Sequence, residues 1–280
     1  MPRPEPTRVA PLLIAACAAV AIACQGADPR AASAPASASV AAPLTAAPAT
    51  QEEREAAAPA QLPTASSIPA STAPPSPKRA PTRVLVLGDS LSDEKVGGGG
   101  FVRLLRDSCP GVVFDNRAKG GFMVNQIRKR LETEVLPEGG TYSHAIVFGG
   151  VNDLYSDETA NRTLPRIEGD LTRIYGALKQ RGVEVIAITV TPWGGFKRWY
   201  TPARGQNTLA LNRWIVNQAA SGAIASALDA YPLLSCGDPE RLCPSLAAPF
   251  KDGLHFGKLG QRKLGEALLN LAFPDCKPAP

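Results

Sequence analysis

Short apolar runs alternate with segments of helical spacing from residue 83 onward, and this alternation constrains the fold more than any other feature. The predicted strands cover residues 83–87, 112–114, 145–148, 183–190 and 224–228. The predicted helices cover residues 101–109, 122–135, 164–181, 206–220 and 259–271. Because strands separated by helices pair in parallel, the sequence predicts an α/β fold with a five-stranded parallel sheet. Helices on both faces would make it a flavodoxin-like three-layer α/β/α sandwich.

The aromatic residues are confined to the same part of the chain. All 16 lie at or after Phe101 in a sequence of 280 residues. Residues 27–80 contain 19 Ala and 10 Pro in 54 positions. Such a composition cannot bury enough apolar surface to offset its ordering entropy. We therefore expect a disordered linker over residues 25–80 and one globular domain over residues 81–276, rather than two domains.

The N-terminus is typical of an export signal. Arg3 and Arg8 precede an uncharged run over residues 9–23, which is short for a membrane span and suits a signal peptide. The run ends at Cys24 and resembles a bacterial lipoprotein signal, although the usual Leu is Ala21 here. We expect a signal peptide over residues 1–24 and lipidation of Cys24, with ordinary cleavage nearby or a retained anchor as the alternatives. Cys17 is a second candidate for lipidation, but it leaves an apolar run of only about eight residues. The protein would then be an exported cell-envelope lipoprotein, periplasmic or attached to the outer membrane by its lipid.

Export changes the interpretation of the remaining cysteines. Four lie in the globular part, and an even number in an oxidising compartment indicates two disulfides. The favoured pairs are Cys236–Cys243, which closes a short loop, and Cys109–Cys276, which ties the first helix to the C-terminus. Four cysteines allow three pairings, and only geometry decides among them. The spacing does not suit a zinc site, and no metal is expected.

The charge distribution excludes one class of partner. The net charge is +5, and the densest basic run is Arg128-Lys129-Arg130. A run of this length at helical spacing is typical of a solvated helix face and lacks the clustering of a nucleic-acid site. We expect no nucleic-acid partner and a monomeric protein.

Three polar segments follow predicted strands, and a fourth precedes the last predicted helix. In a parallel sheet, ligands bind at the edge formed by the carboxyl ends of the strands. The four segments are Gly88-Asp89-Ser90-Leu91-Ser92, the segment 116–121 (Asn-Arg-Ala-Lys-Gly-Gly), Gly150-Val151-Asn152-Asp153 and Asp252-Gly253-Leu254-His255. Together and in this order they resemble the SGNH hydrolases, the GDSL esterase/lipase family, from about residue 84 to residue 271. The resemblance implies the SGNH hydrolase fold, an ester substrate and no cofactor.

Three residues carry the implied chemistry. A serine hydroxyl needs an adjacent base to act as a nucleophile at neutral pH, and Ser90 directly follows a buried strand. His255 is one of two histidines, and the other, His144, begins a strand at the opposite edge. Asp252 lies three residues before His255, so one turn can bring its carboxylate to the imidazole.

The resemblance also assigns an oxyanion hole, a set of donors aimed at the negative charge that develops on the substrate oxygen. These donors are the backbone N–H groups of Ser90 and Gly121 and the side-chain amide of Asn152. Gly120 is the alternative to Gly121. Asp89 and Asp153 are interpreted as residues that hold the loops by side-chain hydrogen bonds.

Two loops are candidates for covering or contacting the substrate. The segment 94–100 ends in four glycines and is expected to be flexible, with a lid as one interpretation. The segment 192–200 follows the fourth strand and contains Trp193, Trp199 and Tyr200. These aromatic residues are candidate substrate-binding residues that form a platform for a sugar ring, and packing within the loop is an equal alternative.

The sequence thus predicts a serine hydrolase that cleaves carboxylic esters through an acyl-enzyme. Small acyl esters, including O-acetyl groups on cell-envelope glycans, and lipid esters are the candidate substrates. Transfer of the acyl group to a sugar alcohol by the same residues is one alternative. A non-catalytic envelope-binding lipoprotein is the other.

Overall fold

A five-stranded, all-parallel sheet forms the centre of the structure, a computed structural model that describes residues 80–276. The strands are β1 (Arg83–Gly88), β2 (Val113–Asn116), β3 (His144–Phe148), β4 (Glu184–Ile188) and β5 (Ser226–Leu228). They lie in the order β2-β1-β3-β4-β5, and every pair is parallel. The predicted α/β fold with a five-stranded parallel sheet is confirmed.

Helices cover both faces of this sheet. They are α1 (Gly100–Ser108), α2 (Val124–Arg130), α3 (Val151–Tyr155), α4 (Leu164–Lys179), α5 (Pro202–Ala220), α6 (Ala230–Leu234), α7 (Pro244–Ala247) and α8 (Lys258–Ala272). A 3₁₀ turn, Glu94–Val96, precedes α1, and a π-helical turn, Leu131–Val135, continues α2. On one side α1 packs against α8, and on the other α2 packs against α4. This is the expected three-layer arrangement.

The hydrophobic pattern explains why these segments become strands and helices. Every residue of β3 is buried, as are all residues of β1 after Arg83, because both faces of a parallel sheet are covered. In α4 the residues Ile167, Leu171, Ile174 and Leu178 recur at intervals of three or four and are all buried. They form the single apolar stripe expected of a helix on a sheet.

The structure differs from the sequence-based expectations mainly around the fourth strand and after the fifth. The strand predicted to reach residue 190 ends at Ile188, since Asn212 of α5 takes both backbone groups of Val190 by side-chain hydrogen bonds of 2.8 and 2.9 Å. The small helices α3, α6 and α7 were not predicted. Neither was the antiparallel pair β6 (Ser235–Cys236) and β7 (Asp238–Leu242).

The strand order brings together the loops that contain the candidate catalytic residues. Strand β1 lies between β2 and β3, and Gly88 at the end of β1 pairs with Phe148 at the end of β3. The loops that follow β1 and β3 therefore leave the sheet side by side. In a parallel sheet, this point of reversed strand order is where a ligand crevice forms.

The predicted signal peptide over residues 1–24, the lipidation at Cys24 and all but the last residue of the predicted linker lie outside the described residues. Between residues 80 and 276, none of the helices combines the length and the apolar character that crossing a membrane would require.

Two disulfides join the cysteines of the globular domain in the favoured pairs. Cys109 follows α1 and is bonded to Cys276 beyond α8, with 5.0 Å between the Cα atoms. Cys236 and Cys243 flank strand β7, with 4.9 Å between the Cα atoms. The first bond closes a loop of 167 residues and the second a loop of 7.

The two bonds should differ in their effect on stability. Replacing Cys109 and Cys276 by Ser should lower the free energy of unfolding by about 4–5 kcal/mol, because a long loop restricts the unfolded chain more. Replacing Cys236 and Cys243 should cost about 2 kcal/mol by the same reasoning. Urea unfolding of both double variants measures the difference, and a larger loss for the short loop would contradict the expectation.

Candidate active site

Ser90 lies in a tight turn that begins where β1 ends. The carbonyl of Asp89 accepts the N–H groups of Ser92 and Asp93 at 3.1 and 3.0 Å, which bends the chain sharply away from the sheet. The side chain of Asp89 accepts the N–H of Leu91 at 3.0 Å. These bonds leave the Ser90 side chain partly exposed at the carboxyl edge of the sheet.

The structure brings Ser90, His255 and Asp252 into one chain of hydrogen bonds. The distance from Ser90 Oγ to His255 Nε2 is 2.9 Å, and that from His255 Nδ1 to Asp252 Oδ2 is 2.6 Å. A serine hydroxyl next to an imidazole whose other nitrogen meets a carboxylate is the geometry of an activated nucleophile.

The loop before α8 fixes the position of the imidazole. Leu254 and Phe256, on either side of His255, are both buried in the core. The Phe250 ring lies 5.5 Å from the His255 ring, measured between centroids. The two buried neighbours fix the backbone at His255, and the bonds to Ser90 and Asp252 orient its ring.

The hydrogen bonds around Asp252 favour its ionised form. Its Oδ1 accepts the N–H groups of Leu254 and His255, each at 2.9 Å, while Oδ2 faces the imidazole. Partial burial alone would raise the pKa of Asp252, but the hydrogen bonds from His255 and from the two backbone N–H groups outweigh it. The pKa is held below its ordinary value. A charged carboxylate can orient the imidazole and stabilise it once it is protonated.

Backbone donors for an oxyanion lie beside Ser90. The N–H of Gly120 donates to Asp93 Oδ2 at 2.9 Å and is therefore engaged. The N–H groups of Ser90 and Gly121 donate to no acceptor within the described part of the chain. Gly121 has a φ of 77°, in the left-handed region that favours glycine, and it is exposed. Of the two glycines that the sequence left open, Gly121 has the available donor.

Asn152 stands at the start of α3, directly after β3. Its Nδ2 donates to the carbonyl of Phe122 at 3.0 Å and to Asp89 Oδ2 at 3.2 Å. Its amide thus connects the nucleophile turn to the loop that carries Gly121. The side chain is 3% exposed, so its orientation is set by these partners rather than by solvent.

Tyr155 orients the same amide from the other side. Its hydroxyl donates to Asn152 Oδ1 at 2.7 Å, which leaves the amide nitrogen to face Asp89 and the Phe122 carbonyl. Sequence reasoning missed Tyr155 because α3 was not predicted. On a helix, a residue three positions after Asn152 lies on the same face, and that spacing was the available signal.

The buried carboxyl groups of Asp89 and Asp153 hold the loops that follow β1 and β3, as the sequence indicated. Burial raises the pKa of Asp89 to about 7, with repulsion from Asp153 adding to the rise and the N–H of Leu91 opposing it. Burial also raises the pKa of Asp153, while hydrogen bonds from the Val124 N–H and from Arg162 oppose it. Asp153 accepts these two bonds at 2.8 and 2.6 Å, and it thereby joins α3 to α2.

The candidate substrate-binding aromatics divide into two kinds. Trp193 is fully buried, donates from Nε1 to Thr208 at 2.9 Å and meets the Tyr200 ring edge-on at 5.0 Å. It cannot present its ring to a substrate, so its assignment as a substrate-binding residue is corrected to a packing role. Trp199 and Tyr200 are partly exposed. Trp199 lies 5.9 Å from Tyr155, which places it beside Asn152.

Hydrogen bonds hold the glycine-rich loop after Ser90 against neighbouring residues. Glu94 accepts two hydrogen bonds from Arg106, at 2.8 and 2.9 Å, and the N–H of Gly99 donates to the Leu91 carbonyl at 3.0 Å. Gly98 is buried against the backbone of Ser90 and Leu91. These contacts hold the segment in one conformation here, and its movement as a lid stays a prediction. The glycines permit this close packing.

The other histidine lies far from this site. His144 begins β3 and is buried, with Nδ1 3.1 Å from Ser143 Oγ and Nε2 3.4 Å from Glu184. The predicted structural role of His144 agrees with this position at the amino edge of the sheet.

Comparison with known proteins adds a family and a set of fold neighbours. The family model of the GDSL-like lipase/acylhydrolase family matches residues 86–263. No protein of curated function matches the sequence.

Solved structures share the fold at low sequence identity. A GDSL-like lipase from Bacteroides thetaiotaomicron is 20% identical, with a TM-score of 0.58 over 69% of this chain and 89% of that one. A lipase/acylhydrolase from Enterococcus faecalis is 22% identical, with a TM-score of 0.55 over 70% and 97%. An acetylxylan esterase from Geobacillus stearothermophilus is 18% identical, with a TM-score of 0.54 over 69% and 95%.

The Tyr155 hydroxyl should matter for turnover more than for binding. Tyr155→Phe removes the bond that orients the Asn152 amide, and we expect kcat for an ester to fall about 10-fold with little change in KM. Asn152→Ala, which removes the amide itself, should lower kcat by about 10²–10³-fold.

A matched control separates orientation from stability. Tyr142→Phe also removes a tyrosine hydroxyl that donates at 2.7 Å, in this case to Asp115 and away from Ser90. It should leave kcat unchanged. Equal losses of kcat in the two Tyr→Phe variants, or a loss that follows the melting temperature, would contradict the positioning role.

Proposed function

The chain belongs to the GDSL-like lipase/acylhydrolase family and is an esterase of the SGNH type, and we propose that Ser90, His255 and Asp252 carry out its hydrolysis of carboxylic esters. The observation that carries this proposal is the continuous line of hydrogen bonds from Ser90 Oγ through the His255 imidazole to Asp252, with distances of 2.9 and 2.6 Å.

The reaction begins when Ser90 Oγ attacks the ester carbonyl carbon while His255 Nε2 takes the hydroxyl proton. The carbonyl oxygen becomes negatively charged and is stabilised by the N–H groups of Ser90 and Gly121. The Asn152 amide joins them when the oxyanion displaces Asp89, which accepts the longer of its two hydrogen bonds. The bond to the alcohol oxygen then breaks, and the alcohol leaves with the proton held by His255. The product is an ester between the acyl group and Ser90.

Water completes the cycle. His255 takes a proton from water as the oxygen adds to the acyl carbon, and the same donors stabilise the second oxyanion. The bond to Ser90 Oγ breaks, the proton returns to Ser90, and the carboxylic acid is released. Asp252 keeps its charge throughout and stabilises the imidazolium that forms in each half of the reaction.

We propose small acyl esters as the substrates, including O-acetyl groups on cell-envelope glycans. Phe250 lies beside His255, and Val96 lies against Gly120 in the oxyanion loop. These two apolar side chains support a preference for a short acyl group at this position. Fold neighbours with this architecture include an acetylxylan esterase. We propose that the partly exposed Trp199, whose ring lies 5.9 Å from that of Tyr155, contacts a sugar ring of the substrate.

Replacing the nucleophile tests the proposal directly. Ser90→Ala should reduce turnover of 4-nitrophenyl acetate by about 10⁶-fold, because Ser90 supplies the one hydroxyl within hydrogen-bond distance of the His255 ring among residues 80–276. Ser92→Ala is the control, since that hydroxyl has no hydrogen-bond partner in the described residues. A fluorophosphonate should label the wild type and Ser92→Ala but not Ser90→Ala. Equal turnover by Ser90→Ala and wild type would reject the assignment.

We further propose that the enzyme acts in the cell envelope, exported by residues 1–24 and anchored by a lipid on Cys24. The two disulfides support this location, because disulfides persist in compartments outside the reducing cytosol. They do not distinguish lipidation from ordinary cleavage.

Metabolic labelling distinguishes those two outcomes. With labelled palmitate, the full-length chain expressed in a bacterial host should take up label, and Cys24→Ser should not. Cys17→Ser, which changes the other cysteine of the predicted signal peptide, should still be labelled. Labelling that is retained in Cys24→Ser would refute the anchor at this position.

A further inference from the structure

Five exposed cationic side chains stand on the loops that carry or adjoin the proposed catalytic groups. These side chains, which we call the rim cations, are Lys95, Lys119, Lys197, Arg198 and Lys251. They come from the segments after β1, β2 and β4 and from the loop before Asp252. Although distant in sequence, they share the carboxyl edge of the sheet.

Lys119 lies on the oxyanion side of the site. Its backbone N–H donates to the carbonyl of Gly88 at 3.0 Å, next to the nucleophile turn. Its ammonium is 5.5 Å from the centroid of the Phe122 ring, and the Phe122 carbonyl accepts the Asn152 amide. Only Gly120 separates Lys119 from Gly121 in sequence.

Lys95 lies beside Lys119. Asp93 connects their loops, because its Oδ1 accepts the Lys95 N–H and its Oδ2 accepts the Gly120 N–H, both at 2.9 Å. Lys95 and Lys119 line one cavity of about 360 Å³, together with Arg117 and Arg130. Asp93 and Glu94 line the same cavity. Because Arg117 and Arg130 are paired with Glu138 and Glu134, the cations of this cavity that form no ion pair within residues 80–276 are Lys95 and Lys119.

The remaining rim cations lie on the other side of Ser90. The Arg198 guanidinium lies 5.0 Å above the ring of Trp199, which itself neighbours Tyr155. Gly195 passes so close to Gly253 that a Cβ built on Gly195 would lie 2.9 Å from the Gly253 Cα. The loop carrying Lys197 and Arg198 therefore crosses the triad loop. Lys251 directly precedes Asp252.

The acidic side chains beside Lys95 and Lys119 are engaged elsewhere, whereas Glu240 packs against Gly194 and adds one carboxylate to the side of Lys197 and Arg198. Glu94 is bonded to Arg106 and lies 3.5 Å from Arg103. Asp157 is paired with Arg204, and the charge of Glu158 acts on the same guanidinium. Asp93 is buried and accepts backbone N–H groups, and Asp252 faces His255. No rim cation forms an ion pair with another side chain of residues 80–276.

We propose that the natural substrate is a negatively charged ester, with a carboxylate or phosphate near the scissile bond, and that the rim cations select it. This inference rests on the proposed esterase function and deepens it. Like charges around one crevice raise the local concentration of an oppositely charged substrate and its rate of encounter, by about 10–10³-fold in favourable cases. The effect depends on ionic strength, since salt screens exposed charges.

Matched pairs of esters test the charge preference. The first pair is an O-acetylated galacturonate disaccharide and the same compound with its carboxyl groups amidated. The second pair is monoacetylated glycerol 3-phosphate and monoacetylglycerol. In at least one pair, kcat/KM for the anionic member should exceed that for the neutral member by about 10-fold at low salt. The pair with the larger ratio identifies carboxylate or phosphate as the preferred anion.

Raising the salt concentration to about 1 M, where the Debye length is about 3 Å, should bring each ratio close to one. This measurement needs no variant. An anionic-to-neutral ratio near one at low salt in both pairs overturns the proposal but leaves the esterase function intact. Failure to hydrolyse any of the four esters and 4-nitrophenyl acetate would contradict the proposed function itself.

Variants that remove charge show which residues produce the preference for the anionic ester. Lys95→Gln with Lys119→Gln should lower the anionic-to-neutral ratio several-fold. The control, Arg173→Gln with Arg181→Gln, removes the same charge from exposed positions on and just after α4, and should preserve the ratio. If the control lowers the ratio as much, the net charge of the protein and not the rim governs selection, and the proposal fails.

Discussion

The parallel pairing of β1 with β3 is the constraint on which the site depends. Because Gly88 and Phe148 lie opposite each other, the turn that holds Ser90 and the helix that begins near Asn152 leave the sheet at the same height. The bond of 3.2 Å from the Asn152 amide to Asp89 is possible only in this register. A shift of one residue would turn the buried side chains of β1 to the opposite face and separate nucleophile from amide. The pairing of two buried strands thus determines the geometry of a polar site.

Charge buried behind the site makes the loops around it mutually dependent. Asp153 is fully buried, and Arg162, itself 6% exposed, meets it at 2.6 Å and meets Asp170 at 2.7 Å. Since a buried charge is costly without its partner, the residues that position Asn152 and those on α4 must fold together. The support of the oxyanion side extends in this way to a helix that does not touch the substrate.

Sequence reasoning proposed Ser90, Asn152 and His255 as site residues because their chemistry coincides with their position after buried strands or before the last helix. It could not locate Tyr155, whose role depends on a short helix that propensity alone does not indicate. Nor could it tell that Trp193 packs inward, since an aromatic residue in a loop has the same sequence signal whether its ring faces solvent or core. Local pattern predicts strands and turn chemistry, whereas the direction of a loop side chain depends on distant contacts such as Thr208.

The crossing of Gly195 and Gly253 has a consequence for how such an enzyme can diversify. The two backbones touch where any side chain would force them apart, since a Cβ on Gly195 would lie 2.9 Å from the Gly253 Cα. A loop transplanted after β4 to change substrate preference would have to bring its own glycine to this crossing, or it would displace the loop that carries His255. New specificities are thereby restricted to loop exchanges that preserve one point of contact, and recombination that ignores it would produce folded but inactive chimeras.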